Sequence, residues 1–186
     1  AFTAPLVSDR PDGLWPAVVT DTYGRALGLA YTNVHAVRAS LERGTGVYWS
    51  RKRGLWEKGA TSGNTQRLVE MKVDCDRDAL TIVVEQHGVG FCHLDTSTCW
   101  GEQFGLPELV ETIARRQRHA PSGSYTRRLL EDPRLLSAKL IEEVGELLEA
   151  QNAEDVTWEV ADVIYFTLVT MVAKGGRFED VLAELA

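Results

Sequence analysis

The sequence predicts two domains: an N-terminal α+β domain of mainly antiparallel strands over 1–101 and a C-terminal all-α domain over 102–186. Three observations carry that expectation. The first hundred residues are rich in glycine and β-branched residues set in short alternating runs, the texture of strands joined by turns. Beyond residue 105 the apolar period becomes that of helices. Between the two textures stands Gly101-Glu102-Gln103-Phe104-Gly105, a short linker signal.

In chain order, strands are expected at 17–20 and 26–31, followed by a helix over 33–43 that Asn33 would cap at its N-terminus. Further strands are expected at 46–49, 65–74, 79–86 and 90–93, each a β-branched or aromatic run bounded by turn residues. The second half reads as helices over 106–118, 125–131, 133–151, 156–173 and 178–186. There is no internal repeat.

The charge balance narrows the function. Lys and Arg total 20 against 27 Asp and Glu, a net charge of -7, which argues against a general nucleic-acid or membrane-surface binder. The basic residues gather near 51–58 and 115–128. No apolar run of membrane-spanning length and no signal peptide are expected. Residue 1 is alanine, so a missing or processed start is the expectation. Cys75, Cys92 and Cys99 are the three cysteines. An odd number without a secretion signal disfavours a disulfide framework and favours a cytoplasmic location.

The stretch Val73-Asp74-Cys75-Asp76-Arg77-Asp78 places carboxylates at alternate positions. On an extended strand Asp74, Asp76 and Asp78 would share one face, with Cys75 opposite beside Val69, Met71 and Val73. That arrangement would offer hard oxygen ligands on one side and a soft sulfur on the other. A solvated, charged hairpin end is the alternative. Three thiolates without a fourth suit a zinc site that keeps a position open for water, and His93, next to Cys92, is placed to move protons there. Small free cysteines that fill a core are the alternative for these.

Upstream, Arg51, Arg53 and Lys58 precede Gly59-Ala60-Thr61-Ser62-Gly63-Asn64. Free backbone N–H groups, hydroxyls and cations are what a phosphate needs, although the order of glycine and lysine is not that of a Walker-A loop. In combination, Trp49-Ser50-Arg51, Leu55-Trp56, Lys58-Gly59, Thr61-Ser62-Gly63-Asn64, Asp74-Cys75-Asp76, Asp78, Cys92-His93 and Cys99 resemble the phosphoribosyl-AMP cyclohydrolases over most of 15–101. The resemblance implies magnesium on Asp74, Asp76 and Asp78, zinc on Cys75, Cys92 and Cys99, and a homodimer with each zinc site shared between subunits. It also implies substrate contacts from Arg51, Lys58, Thr61, Ser62, Gly63 and Asn64. The implied reaction adds water at C6 of the adenine ring and opens the N1–C6 bond, a relative of zinc deaminase chemistry.

In the helical half, Lys139, Glu142, Glu143 and Glu146 share one arc of a helix and Leu140, Val144, Leu147 and Leu148 the other. Taken alone the acidic arc reads as solvated. The next helix, over 160–169, is apolar around nearly its whole circumference, so Asp162 is expected to be buried with it. A buried carboxylate needs a metal, a cation or a proton. Glu143, Glu146, Glu159 and Asp162 would then form a cage for Mg²⁺ on a polyphosphate.

This E-x-x-E…E-x-x-D pattern resembles the MazG-like all-α nucleotide pyrophosphohydrolases. With Arg115-Arg116, Ser124-Tyr125-Thr126, Lys139, Glu142-Glu143, Trp158-Glu159, Asp162 and Tyr165, the stretch 105–186 is similar to the phosphoribosyl-ATP pyrophosphohydrolases. Phe166 follows that tyrosine where many bacterial relatives carry histidine. The resemblance implies cleavage between the α- and β-phosphates, with Glu142, Glu143, Glu146, Glu159 and Asp162 as Mg²⁺ ligands or catalytic groups. Ser124, Tyr125, Thr126 and Lys139 would be substrate contacts, and Ser124 or Thr126 the cap of the following helix.

The product of the second half is the substrate of the first, and the linker wording resembles the fungal-type fusion, which often continues into a histidinol dehydrogenase domain. That leaves open that this chain is an excised portion of a longer one. Phosphoribosyl nucleotides are the expected partners, with no nucleic acid and no membrane. Two alternatives stand beside this reading: a general nucleoside triphosphate pyrophosphohydrolase with an inactive zinc-binding N-terminal domain, and a non-enzymatic zinc-stabilised interaction module.

Overall fold

The structure, a computed structural model, describes residues 6–186; the expectation about residue 1 lies outside them. The chain divides between Gln103 and Phe104 into two compact units, the first strand-rich and the second helical.

In the first unit β1 (Trp15–Thr20), β2 (Ala26–Thr32), β5 (Gln66–Val73) and β6 (Leu80–Gln86) form one sheet in the order β2-β1-β6-β5. The β1–β2 and β5–β6 pairs are antiparallel and β1–β6 is parallel. Side chains of alternate residues point to one face of a strand, so Ala17 and Val19 of β1 meet Leu80, Ile82 and Val84 of β6 in a core completed by Leu27, Val37, Tyr48 and Phe91. Helix α1 (Val34–Arg43) begins at Asn33, whose side chain accepts from the backbone N–H groups of His35 and Ala36 at 3.1 and 3.0 Å, as the sequence predicts. It ends at Gly44 in the left-handed region, φ 67°.

Several strand expectations need correction. Strands β3 (Val47–Ser50) and β4 (Gly54–Glu57) form a separate hairpin, of which β4 was not expected. It is four residues long and follows three charged residues, too short for alternation to register. The stretch 90–93 is not a strand: Phe91 and Cys92 bond to Ser97 and Thr96 across a tight loop. Nor do the aspartates share an extended strand. Strand β5 stops at Val73, and 74–79 form the turn into β6, with Arg77 at φ 71°. A register irregularity between Leu68 and Glu70 accompanies Val69 on the exposed side, at 46% exposure, apart from Met71 and Val73.

The second unit consists of α2 (Leu106–Arg118), α3 (Tyr125–Glu131), α4 (Pro133–Glu149), α5 (Ala153–Ala173) and α6 (Phe178–Glu184). Helix α5 packs against α4, α2 and α3. It starts three residues earlier than the apolar pattern suggests because Asn152 caps it, accepting from Glu154 and Asp155 N–H. Contrary to expectation, α5 is long and apolar enough to cross a membrane by length and composition. An uninterrupted run misses this because Glu159 and Asp162 divide it.

The amphipathic reading of α4 holds only in part: Glu142 and Glu146 are exposed, but Glu143 of the same arc is buried. Its buried residues are Leu136 and Glu143, while Ile141 and Leu148 are 74% and 82% exposed. Asp162 is exposed as well, together with Trp158 on the same helix. The all-round apolar character of α5 is therefore not matched by burial within one chain.

Candidate active sites

The first site is a cavity of about 670 Å³ in the strand-rich unit. Hairpin β3–β4 supplies Ser50, Arg51, Arg53 and Trp56 to it, and the following turn Lys58, Gly59, Thr61, Ser62 and Asn64. The loop after β6 supplies Phe91, Cys92, His93 and Cys99, and β2 supplies Tyr31. Arginine guanidinium groups stack on aromatic faces: Arg51 lies 4.9 Å from the Tyr31 ring centre and Arg53 4.9 Å from Trp56. Thr61, Ser62 and Gly63 are exposed at the turn, whereas Lys58 and Asn64 are buried. The Asn64 side chain accepts from Val89 N–H at 3.0 Å, which ties this turn to the cysteine loop.

Cys92 opens a turn closed by Asp95, which sits at φ 58° and donates its N–H to the Cys92 carbonyl. The Leu94 backbone and Thr96 hydrogen-bond the Cys92 sulfur and hold the thiol below its usual range, the environment a thiolate ligand needs. Desolvation and neighbouring Cys92 push Cys99 up. The His93 ring nitrogen Nδ1 lies 3.8 Å from Cys92 Sγ.

Cys75 stands apart. Among the described residues, ligand atoms within 4.8 Å of one another form two groups of three or more, and both consist of carboxylates. One chain therefore brings Cys92 and Cys99 together without Cys75, which is exposed on the β5–β6 turn. Glycine is required at position 28, where a Cβ would lie 2.3 Å from Phe91 Cε1 and 2.9 Å from Cys99 Sγ. Gly28→Ala is expected to displace both side chains and lower thermal stability. A melting temperature of Gly28→Ala equal to that of wild type would contradict this packing.

On that same turn Asp74, Asp76 and Asp78 form the first carboxylate group. The turn, not strand alternation, gathers them. Asp74 accepts from the N–H groups of Asp78 and Ala79, both at 3.1 Å, and the Ala79 bond leads in holding it below its ordinary range. The negative charge of Asp76 raises Asp78. Mutual crowding of this kind is relieved by a cation.

The second carboxylate group is Glu143 of α4 with Glu159 and Asp162 of α5. Glu143 is 5% exposed and its oxygen lies 3.0 Å from Lys139 Nζ, which also holds Glu142 at 2.9 Å. Glu142 thus faces Lys139, outside the trio, and Glu146 lies outside it too, acting on Glu159 by charge. The Oε2 atom of Glu159 is buried with no hydrogen-bond partner among the described residues. Desolvation, then the charges of Glu146, Glu143 and Asp162, raise Glu159 above the usual carboxylate range. An orphaned carboxylate oxygen facing other acids is what a divalent cation would satisfy.

A raised carboxylate pKa has a stability consequence. Between its unfolded and folded values the native state binds more protons, so stability falls as pH rises through that window. Through Glu159 the metal-free protein is expected to lose stability as pH rises above the ordinary carboxylate range, and added magnesium to reduce the loss. Denaturation curves with and without magnesium check this; a slope unchanged by the ion would contradict it.

Ser124 caps α3 by accepting from Arg127 N–H at 3.4 Å, so the first of the two candidate caps is used. Thr126 instead bonds the Tyr165 hydroxyl at 2.9 Å, joining α3 to α5 three residues beyond Asp162. Ser124 and Tyr125 line a second cavity of about 650 Å³ with Arg127 and Arg128, separate from the carboxylate trio in its lining. Sequence reasoning missed Tyr31 and Phe91 as cavity walls. Their aromatic character gave no signal because both look like ordinary strand residues.

Two carboxylate groups and a cysteine-bearing cavity, spread over two compact units, give the chain the make-up of a protein with two candidate catalytic sites. Comparison with known proteins resolves the class further. Residues 28–101 match the family model described as phosphoribosyl-AMP cyclohydrolase, and residues 106–186 the model described as phosphoribosyl-ATP pyrophosphohydrolase. The histidine biosynthesis bifunctional protein HisIE of Pyrococcus furiosus is 36% identical over 95% of this chain and 92% of its own length. The chain belongs to this bifunctional histidine-biosynthesis family. It is also similar to the histidine biosynthesis trifunctional protein of Neurospora crassa, 52% identical over 94% of this chain. The bifunctional protein his7 of Schizosaccharomyces pombe is 50% identical over 96% of this chain. The chain spans 20% of the Neurospora protein and 43% of the Schizosaccharomyces one.

Proposed function

We propose that the chain carries out two consecutive hydrolyses, phosphoribosyl-ATP to phosphoribosyl-AMP and pyrophosphate, then opening of the adenine ring of phosphoribosyl-AMP at N1–C6. In this reading 1–101 is the cyclohydrolase domain and 102–186 the pyrophosphohydrolase domain, the latter of MazG-like type. The observation that carries the proposal is the Glu143, Glu159 and Asp162 trio with its orphaned oxygen, on a chain whose other unit holds the cysteine cavity.

In the helical domain Glu143, Glu159 and Asp162 would hold Mg²⁺, with Glu146 and, once Lys139 releases it, Glu142 completing the set. When bound, magnesium neutralises phosphate charge and lowers the pKa of a coordinated water. Ser124, Tyr125 and Thr126 hold the nucleotide at the turn into α3, and Lys139 pairs with the buried Glu143 at 3.0 Å. A carboxylate of the trio accepts the proton from the attacking water.

In the strand-rich domain Cys92 and Cys99, with Cys75, would hold Zn²⁺, and Asp74, Asp76 and Asp78 would hold Mg²⁺. When bound, zinc makes hydroxide available near neutral pH. Arg51, Thr61, Ser62, Gly63 and Asn64 position the phosphoribosyl groups, Lys58 borders the same cavity, and His93 moves protons between water and the ring.

Separation of Cys75 from the other two thiols within one chain supports a homodimer with each zinc site shared between subunits. The exposed apolar residues Ile141, Leu148 and Trp158 supply a face for a second copy. Leu148→Glu and Ile141→Glu together are expected to lower the oligomeric state in light scattering and to weaken activity. A wild-type protein that is monomeric at micromolar concentration would contradict this.

Substrate preference separates the proposal from a general nucleoside triphosphate pyrophosphohydrolase. Phosphoribosyl-ATP is expected to be hydrolysed with a kcat/KM far above that for ATP; equal values would favour the general enzyme.

A further inference from the structure

We propose that Gln66 is a positioning residue for ring opening: through Tyr48 and Gln86 it fixes the arrangement of two edges of the cavity that receives the phosphoribosyl nucleotide. The inference rests on the reading of that cavity as the cyclohydrolase site.

Gln66, the first residue of β5, is 2% exposed. Its Oε1 accepts from the Tyr48 hydroxyl at 2.6 Å, and its Nε2 donates to Gln86 Oε1 at 2.9 Å. Gln86, its partner across the β5–β6 ladder, donates from Nε2 to the carbonyls of Thr65 and His87 at 3.1 and 2.7 Å. Carbonyls only accept, so the orientation of each amide follows from the one before it. Gln86 turns its oxygen to Gln66, Gln66 turns its oxygen to Tyr48, and the phenol can only donate. Burial pushes the Tyr48 phenol up, which keeps that donor protonated.

The two ends of this chain of bonds meet different edges of the cavity. Tyr48 lines it from β3 and pairs in register with Trp56 of β4, their ring centres 6.0 Å apart. The Arg53 guanidinium lies on that same Trp56 ring. At the other end the Thr65 carbonyl accepts from Gln86 and also from His87 N–H at 2.9 Å. Thr65 directly follows Asn64, which closes the turn that carries Thr61 and Ser62. Gln66 is the middle link between the hairpin wall and that turn.

Gly46 makes room for the junction. A Cβ there would overlap Gln66 Oε1 and fall 3.0 Å from the Tyr48 oxygen. The Gly46 carbonyl accepts from Lys58 N–H at 2.9 Å, at the start of the same turn. Apolar side chains of similar volume would fill this space without any buried polar group to satisfy. What the amides add is direction, because a fully satisfied buried network specifies one arrangement of the elements it joins. A cavity whose polar groups come from a hairpin and a separate turn needs that single arrangement before substrate arrives.

The test measures KM and kcat for phosphoribosyl-AMP, together with melting temperature, in wild type, Gln66→Met, Tyr48→Phe and the double variant. Val19→Ala, a core truncation on β1 outside the chain of amides, is the control. Gln66→Met keeps the volume and removes both hydrogen-bonding groups. Its KM is expected to rise about 10-fold, short of the roughly 100-fold that a misplacement of about 1 Å can cost. Its kcat should stay within about 3-fold of wild type, since the displaced groups hold the unreacting part of the substrate. Tyr48→Phe should raise KM in the same way, and the double variant should be no worse than the poorer single one, because both interrupt one chain of bonds. Val19→Ala should melt lower at an unchanged KM. If Gln66→Met does not fold, Tyr48→Phe, which deletes one oxygen, carries the comparison. A wild-type KM in Gln66→Met and Tyr48→Phe, an equal rise in Val19→Ala, or effects that multiply in the double variant would each overturn the proposal. Absence of ring opening in wild type would remove the cyclohydrolase reading on which the proposal stands, and is told apart by being independent of residue 66.

Discussion

Glu143→Gln is expected to abolish pyrophosphate release from phosphoribosyl-ATP while leaving ring opening of supplied phosphoribosyl-AMP intact. Glu143 is the buried member of the α4–α5 trio, with Lys139 at 3.0 Å and the oxygens of Glu159 and Asp162 within 4.8 Å. Glutamine keeps its volume and removes its charge, so the effect is chemical more than steric. Whether Glu143 holds the ion or takes the proton, loss of such a group costs about 10²- to 10⁴-fold in rate. The metal-free fold should survive. The substitution takes away a partner of Lys139 but also one of the charges that raise Glu159. Pyrophosphate release within a few-fold of wild type would remove the trio from the mechanism.

Cys92→Ser is expected to do the reverse: zinc is lost, ring opening stops, and phosphoribosyl-AMP accumulates at an unchanged rate. The Leu94 and Thr96 hydrogen bonds that favour a Cys92 thiolate have no such use on a serine hydroxyl, which stays protonated and hard. Zinc affinity is expected to drop by about 100-fold or more, beyond the loss typical of residues behind the ligands. Because Cys75 stands apart from Cys92 and Cys99 in one chain, mixing Cys75→Ser with Cys92→Ser should restore activity that neither has alone. In a random mixture of dimers half are hybrids with one intact site of two, so about a quarter of wild-type ring opening is expected for an interface-shared site. A mixture as inactive as its components would contradict a shared site.

Much of this was legible before any coordinates, for identifiable reasons. Helix α1 announced itself through Asn33, and α2 and α3 through apolar period and flanking turn residues. The two-part organisation showed as a change of period. What escaped was whatever depended on burial across the chain. The acidic arc of α4 looked solvated because in one helix it opposes the leucines. The structure buries Glu143 of that arc beside Glu159 and Asp162 of α5, keeps Glu142 and Glu146 exposed, and leaves Ile141 and Leu148 outside. Asp162 was expected buried because α5 is apolar all round, but one chain does not cover that whole surface.

The carboxylates at 74, 76 and 78 were singled out for alternation along a strand and are instead gathered by a turn that places Arg77 in the left-handed region. Spacing gave the right residues there with the wrong geometry. Lys58 shows the limit most clearly. It stands next to a glutamate and just ahead of an exposed polar turn, and only the close approach of Gly59 to Asn64 reveals that it is buried.

The measurement that tests the central claim most directly is a single time course of the purified chain with phosphoribosyl-ATP, magnesium and trace zinc, in which pyrophosphate, phosphoribosyl-AMP and the ring-opened product are followed together. Two active sites in consecutive roles require pyrophosphate first, a transient of phosphoribosyl-AMP, and then ring-opened product that approaches the pyrophosphate in amount. A plateau of phosphoribosyl-AMP that persists after zinc is replenished, or no pyrophosphate at all, would contradict the assignment of chemistry to the corresponding domain.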